Sequence, residues 1–102
     1  MVEYNELLKL AAYVGLSSYR VRALKVLDDN GAMIPKYIAM DCRVRSNHIS
    51  KTLRELKDKS LVVCINPEAK KGRLYQITPL GHDVCGLVPK IMGKSMGELN
   101  DL

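Results

Sequence analysis

The chain opens with two stretches in which apolar residues recur at the spacing of an amphipathic helix. In residues 3–16 the apolar positions are Leu7, Leu8, Ala11, Ala12 and Val14. In residues 19–29 they are Val21, Leu24 and Leu27. We therefore predict two helices, the first ending at Gly15 and the second capped by Ser17 or Ser18. Gly31 is predicted to end the second helix, because glycine adopts the left-handed conformation that a helix end favours.

Two further helices are predicted, separated by a turn of only three residues. Pro35 suits the first position of a helix over residues 35–42, because its missing N–H would have no partner there. Ser46 is the predicted N-cap of the next helix, which continues to about residue 59. The apolar positions of that helix form a single stripe made of Ile49, Leu53 and Leu56.

The spacing of apolar residues then changes from helical to extended. Residues 61–65 are rich in β-branched side chains and residues 73–77 alternate, so both segments are predicted strands. We expect them to pair as a hairpin with a basic tip of about seven residues. Thr78 and Pro79 are predicted to begin a fifth helix that Pro89 stops or kinks, and the tail after it is expected to fray. The fold class is therefore mainly α with a small β-hairpin, in the order α-α-α-α-β-β-α.

Composition places the chain among small globular domains. Its 102 residues leave room for one domain, 1–102, of which residues 1–16 and 79–102 are flanking helices. The longest apolar run, residues 10–16, is far shorter than the roughly 18 residues that a membrane span needs. The first residues lack the basic start of a signal peptide, and the three cysteines show no paired spacing. We expect a cytoplasmic protein without disulfides, without a membrane and without a cofactor.

The positive charge is concentrated in the middle of the chain. Residues 43–73 contain nine Lys or Arg and three acidic residues, whereas the rest of the chain contains seven basic and eight acidic residues. The net charge of +5 therefore comes entirely from this central block. A local basic block favours a polyanionic partner more than a scattered excess does, although a solvated charged face is the simpler alternative.

The order of the elements is that of a winged helix-turn-helix, in which the hairpin is the wing. The stretch IAMDCRVRSNHISKTLRELKDKSLV resembles the helix-turn-helix of MarR-like regulators, and GRLYQITPLGHDV resembles their wing strand and following helix. The segment VGLSSYRVRALKVLDDNG is similar to the start of archaeal TrmB-like DNA-binding domains. Arg43 and Ser60 stand where these families usually have glycine. The Asp-x-Arg of the MarR wing is absent, and Gly72-Arg73 stands there instead.

The resemblance implies that helix 46–59 is a recognition helix in the DNA major groove. If the apolar stripe faces the core, the outward positions are Asn47, Lys51, Arg54 and Asp58, flanked by His48 and Ser50. Arg54 or Lys51 could read a guanine edge, and Asn47 an adenine. Asp58 would repel phosphate, so contact with DNA is predicted to end near Arg54.

The remaining candidate residues would hold the DNA backbone. Ser46 and the free N–H groups of the recognition helix favour a phosphate. Arg43 and Arg45 precede that helix, and Lys36 begins the helix before it. The resemblance implies that the basic wing 66–73, with Lys70, Lys71 and Arg73, contacts the backbone or the minor groove. Lys57 and Lys59 are expected to be solvated.

Other function classes have weaker support in the sequence. His82 and Cys85 are one helical turn apart, but no paired-ligand spacing accompanies them, so we predict neither a metal site nor a catalytic residue. The apolar first and last helices either pack on the domain's own core or build a homodimer, as the resemblance suggests. The predicted function is sequence-specific binding of double-stranded DNA as a transcriptional regulator, with no effector assigned. The alternatives are a winged-helix module that binds protein, and a non-specific DNA binder.

Overall fold

A computed structural model describes residues 3–88 of the chain. Four complete helices are present, α1 Tyr4–Gly15, α2 Ser18–Asn30, α3 Pro35–Cys42 and α4 Ser46–Asp58. A fifth helix, α5, begins at residue 79 and extends through residue 88. The predicted kink at Pro89 and the predicted fraying of the tail lie outside the described residues. The predicted fold class and order of elements are confirmed.

The starts of the helices follow the local sequence. Pro35 occupies the first turn of α3, and the Ser17 side chain accepts a hydrogen bond from the Arg20 N–H at 3.4 Å at the start of α2. The Thr78 hydroxyl accepts from the Gly81 N–H at 2.9 Å and donates to the carbonyl of Ser60 at 2.7 Å. Thr78 therefore caps α5 and joins its start to the end of α4.

The core lies between α2 and the elements packed around it. The α4 stripe predicted to face inward, Ile49, Leu53 and Leu56, is buried. Thr52 is also buried, and its hydroxyl donates to the His48 carbonyl one turn earlier at 2.7 Å, which satisfies its polar atom. Ala39 of α3 is buried as well, which allows α3 and α4 to approach closely.

The wing hairpin is shorter than predicted, and its loop is longer. Its strands are β1 Val62–Cys64 and β2 Tyr75–Ile77, paired antiparallel with Val62 opposite Ile77. Residues 65–74 form the loop, and the Ile65 N–H donates to the Leu74 carbonyl at 2.9 Å at its base. Within the loop the Asn66 side chain accepts from the Leu74 N–H at 2.6 Å and donates to the Gly72 carbonyl at 3.1 Å. Met33 adds a third strand position by exchanging two 2.9 Å backbone bonds with Tyr75, a pairing that we did not predict.

Two of the predicted caps are wrong in detail. Arg45, not Ser46, is the N-cap of α4: its backbone is extended and its carbonyl accepts from the Ile49 N–H at 3.1 Å, so Ser46 is the first helical residue. Gly31 does end α2, but with φ 79° and ψ −152° it lies outside the left-handed helical region. That backbone conformation is accessible to glycine and very rarely to other residues.

The two positions where the MarR-like pattern carries glycine are both left-handed in this chain. Arg43 ends α3 with φ 57° and ψ 46°, and Ser60 follows α4 with φ 61°. A residue with a Cβ is disfavoured in this conformation by roughly 1–2 kcal/mol. At both positions this chain adopts the left-handed conformation without glycine.

Candidate nucleic-acid interface

The outward face of α4 carries the side chains expected from its spacing. Asn47, Lys51, Arg54 and Asp58 are all exposed, and the buried stripe lies on the opposite side of the helix. Ser50 is exposed beside them. This face is rich in hydrogen-bond donors, and a single helix of this width fits the major groove of B-DNA.

The turn before α4 brings two arginines to the start of that helix. The backbone N–H of Val44 donates to the Ala39 carbonyl at 3.0 Å, which closes the turn tightly against α3. Arg43 and Arg45 on either side of Val44 are exposed, and so is Ser46. The first N–H groups of α4 have no side-chain cap. Two cations and the uncapped start of a helix therefore share one end of the exposed face, an arrangement that favours an anion.

The wing loop holds a second group of cations. Lys70, Lys71 and Arg73 are exposed. Asn66 closes the loop from inside, and the Arg73 Nε donates to the Ala69 carbonyl at 2.8 Å. Gly72 has φ 68°, which lets the chain turn back toward β2. The loop is thus braced by its own side chains, and its charged groups remain on the outside.

His48 and Lys36 occupy different parts of the surface. Lys36 is exposed in the first turn of α3. The imidazole ring of His48 stacks on the ring of Tyr19 in α2, with centroids 5.0 Å apart and planes inclined by 21°. His48 therefore lies on the α2 side of α4, at the edge of the predicted DNA-binding face. Tyr19 was not among the predicted site residues, because its place beside α4 depends on tertiary packing.

A half-buried ion pair supports α4 from behind. Arg20 of α2 donates to both carboxylate oxygens of Glu55 at 3.3 Å and to the Tyr13 carbonyl at 2.8 Å. The Arg20 guanidinium also lies 3.9 Å from the centre of the Tyr13 ring. Glu55 is thus occupied inside the fold, and the outward face of α4 retains Asp58 as its acidic residue. Sequence reasoning missed this cluster, whose members come from three different helices.

The surroundings of three side chains, His82, Cys42 and Cys85, raise their pKa values. The His82 Nδ1 lies 2.6 Å from the Asp28 Oδ1, and this hydrogen bond, together with the carboxylate charge, raises the pKa of the exposed imidazole. Burial raises the pKa of the Cys42 and Cys85 thiols, which keeps both protonated and poorly nucleophilic near neutral pH. Within residues 3–88, no three His, Cys, Asp or Glu side chains converge as a metal site would require.

No protein-family model matches the sequence, and no curated protein sequence matches it. The structure has the winged helix-turn-helix fold, and solved structures similar to it include MarR-family transcriptional regulators. One, from Silicibacter pomeroyi, has a TM-score of 0.69 at 22% identity, with 91% of this chain and 63% of that chain covered. The transcriptional repressor CouR, bound to a 23-mer DNA duplex, gives 0.69 at 20% identity, with 88% and 64% covered.

A third similar structure is the homodimeric winged helix-turn-helix DNA-binding domain Mb0332 from Mycobacterium bovis. Its TM-score is 0.64 at 19% identity, with 96% of this chain and 86% of that chain covered. The chain thus spans slightly less than two thirds of the Silicibacter regulator and of CouR. The predicted similarity to MarR-like proteins is confirmed at the level of the fold. Among the described residues, no helix is both long and apolar enough to cross a membrane.

Proposed function

We propose that the chain is a transcriptional regulator that binds double-stranded DNA sequence-specifically. Helix α4 enters the major groove, and the basic wing 66–73 lies along the backbone or in the minor groove. The observation that carries this proposal is that three clusters of basic side chains are exposed. One lies on the turn 43–45, one on the outward face of α4 and one on the wing. CouR, which has a similar fold, is bound to a DNA duplex, and this supports the same use of the fold here.

The proposal extends to a homodimer. Helix α1 buries Ala11 and Val14 in the core, yet Tyr4 and the C-cap residue Leu16 are exposed, and several leucines of the helix are only half-buried. A second copy packed against α1 and α5 would cover these side chains. A two-fold dimer would present two α4 helices roughly 34 Å apart, one turn of DNA, and would read a pseudo-palindrome. The homodimeric state of Mb0332 supports this arrangement.

A protein-binding module is the second candidate function. Its support is on α3, where Tyr37 and Met40 are 52% and 62% exposed. A partner surface would be expected to use exposed Tyr and Met side chains of this kind. The outward face of α4, however, carries Asn, Lys, Arg and Asp, and this composition favours DNA over a protein partner.

Arg54→Ala is expected to reduce discrimination between DNA sequences. A bidentate contact of arginine with guanine is worth roughly 1–3 kcal/mol of discrimination. We would select a preferred site from a random pool and then measure binding of that site and of an unrelated duplex. Arg54→Lys is the matched control, because it keeps the charge and loses the planar fork. Equal discrimination by the wild type and both variants would show that Arg54 reads no base.

Lys70→Ala combined with Lys71→Ala is expected to weaken binding to all duplexes about equally. Loss of two phosphate contacts should make the slope of log affinity against log salt shallower by about 2. The same titrations on selected and unrelated duplexes measure both effects. An unchanged slope would show that the tip of the wing does not contact DNA.

A further inference from the structure

A basic cleft lies between α4 and the wing, beside the outward face of α4. It has a volume of about 270 Å³. The residues that line it come from α3, α4, β2 and the wing, and they are Pro35, Ser50, Leu53, Arg54, Lys57, Arg73 and Tyr75. Ser50, Arg54 and Lys57 follow each other at spacings of four and three residues, so they lie along one edge of α4.

The charge of the cleft has one sign. Arg54, Lys57 and Arg73 line it, and no acidic residue does. Two other clefts of the described chain mix the signs: one carries Lys25 with Asp28, and the other carries three basic residues with two aspartates. Within residues 3–88, none of the three cleft cations takes part in an ion pair. Like charges held around one space repel each other, and a bound anion would remove that cost.

The walls of the cleft are fixed by contacts outside it. Arg73 is held by its Nε bond to the Ala69 carbonyl, and the end nitrogens of its guanidinium remain available. Tyr75 belongs to β2, whose backbone pairs with Met33 and with Cys64. Leu53, at the base, is buried in the core. The backbone around the cleft is therefore preformed, and the Arg73 guanidinium needs little further ordering when an anion binds.

We propose that this cleft binds one phosphate of the DNA backbone, where the strand passes from the groove occupied by α4 to the wing. Lys57 and Arg73 contact the phosphate oxygens, and the Ser50 hydroxyl donates a neutral hydrogen bond. Arg54, at the outer border of the cleft, stays within reach of the base edge. This inference rests on the proposed function and revises the expectation that Lys57 is merely solvated.

The first test compares Lys57→Gln with Lys25→Gln. The control removes one positive charge from the exposed surface of α2, outside the cleft, where the Lys25 Nζ lies 4.0 Å from the Asp29 carboxylate. We expect Lys57→Gln to weaken duplex binding about five- to tenfold at low salt and to make the salt slope shallower by about 1. Lys25→Gln should change neither. Thermal unfolding of both variants checks that the fold is retained.

A second test locates the phosphate. Single phosphates of the duplex are replaced in turn by neutral methylphosphonate, and wild type and Lys57→Gln are titrated against each duplex. At one position per half-site, the replacement should weaken wild-type binding severalfold and leave Lys57→Gln binding unchanged. If wild type binds the duplex and Lys57→Gln behaves as Lys25→Gln at every position, the cleft proposal is overturned and the proposed function stands.

A third experiment distinguishes failure of the cleft proposal from failure of the proposed function. Wild type and Lys57→Gln are titrated with inorganic phosphate, and the backbone amide signals are followed by NMR. Saturable shifts at Ser50, Lys57 and Arg73 in wild type alone support an anion site, whatever the duplex result. If wild type binds no duplex, the proposed function fails, and these shifts then identify a site for free phosphate. If no shifts appear and no duplex binds, both proposals fail.

Discussion

Gly81→Ala is expected to destabilise the fold by about 3 kcal/mol or to prevent folding. Gly81 lies in the first turn of α5, against Leu61, which lies between α4 and β1. A Cβ at this position would overlap the Leu61 carbonyl oxygen and lie 2.7 Å from Cγ1 of Ile77. The carbonyl cannot easily move away, because it accepts a hydrogen bond from the Thr78 N–H at 3.0 Å.

Gly86→Ala is the matched control, because the same substitution is made in the same helix. Among residues 3–88, no atom apart from those of the adjoining residues and the backbone of α5 lies within 4 Å of a Cβ at position 86. Alanine is a better helix former than glycine by roughly 0.5–1 kcal/mol, so this variant should be slightly more stable than wild type. Urea unfolding followed by circular dichroism measures both. Equal stability of the two variants would show that α5 does not pack against Leu61 as described.

Arg20→Met is expected to destabilise the fold by about 2 kcal/mol. The substitution removes the pair with Glu55, the bond to the Tyr13 carbonyl and the contact with the Tyr13 ring, and it leaves Glu55 half-buried without its cation. Breaking a fully buried pair costs more, about 3–5 kcal/mol. The smaller figure applies here because the side chains of Arg20 and Glu55 are 15% and 27% exposed.

Arg22→Met, two residues along α2, is the control for Arg20→Met. Arg22 is exposed and makes a single long bond of 3.4 Å to the Cys42 carbonyl. Its loss should change stability by no more than about 0.5 kcal/mol. Adding Glu55→Gln to Arg20→Met should restore part of the stability, because the uncompensated carboxylate is then neutral. If Arg20→Met is as stable as Arg22→Met, the Arg20–Glu55 pair does not support the fold as described.

The helical part of the fold was readable from the sequence because local patterns determine it. The stripe of Ile49, Leu53 and Leu56 and the helix starts at Pro35 and Pro79 need no information from distant residues. The resemblance identifies Arg43 and Ser60 as positions where the family usually has glycine, and both residues have positive φ in the structure. The exposed face of α4 followed directly from the buried stripe, because the two lie on opposite sides of one helix.

Features that depend on contacts between residues far apart in the sequence could not be predicted from it. Arg20 and Glu55 are 35 positions apart, and nothing in either segment indicates that they meet. Met33 pairs with Tyr75 through two backbone hydrogen bonds. A pairing of one residue is too short to produce an alternating pattern of apolar and polar residues in the sequence. The edge formed by Ser50, Arg54 and Lys57 could have been found from its spacing. Its significance depends on Arg73, which the wing brings to the same cleft.

The most direct test of DNA binding is fluorescence anisotropy of a labelled duplex of mixed sequence. The duplex is titrated with the protein at several salt concentrations. We expect binding at low salt and a steep loss of affinity as salt increases, with a log–log slope of roughly −4 or steeper, because several phosphates are neutralised together. Absence of binding even at low salt would contradict the proposal and would direct attention to a protein partner for α3 and α4.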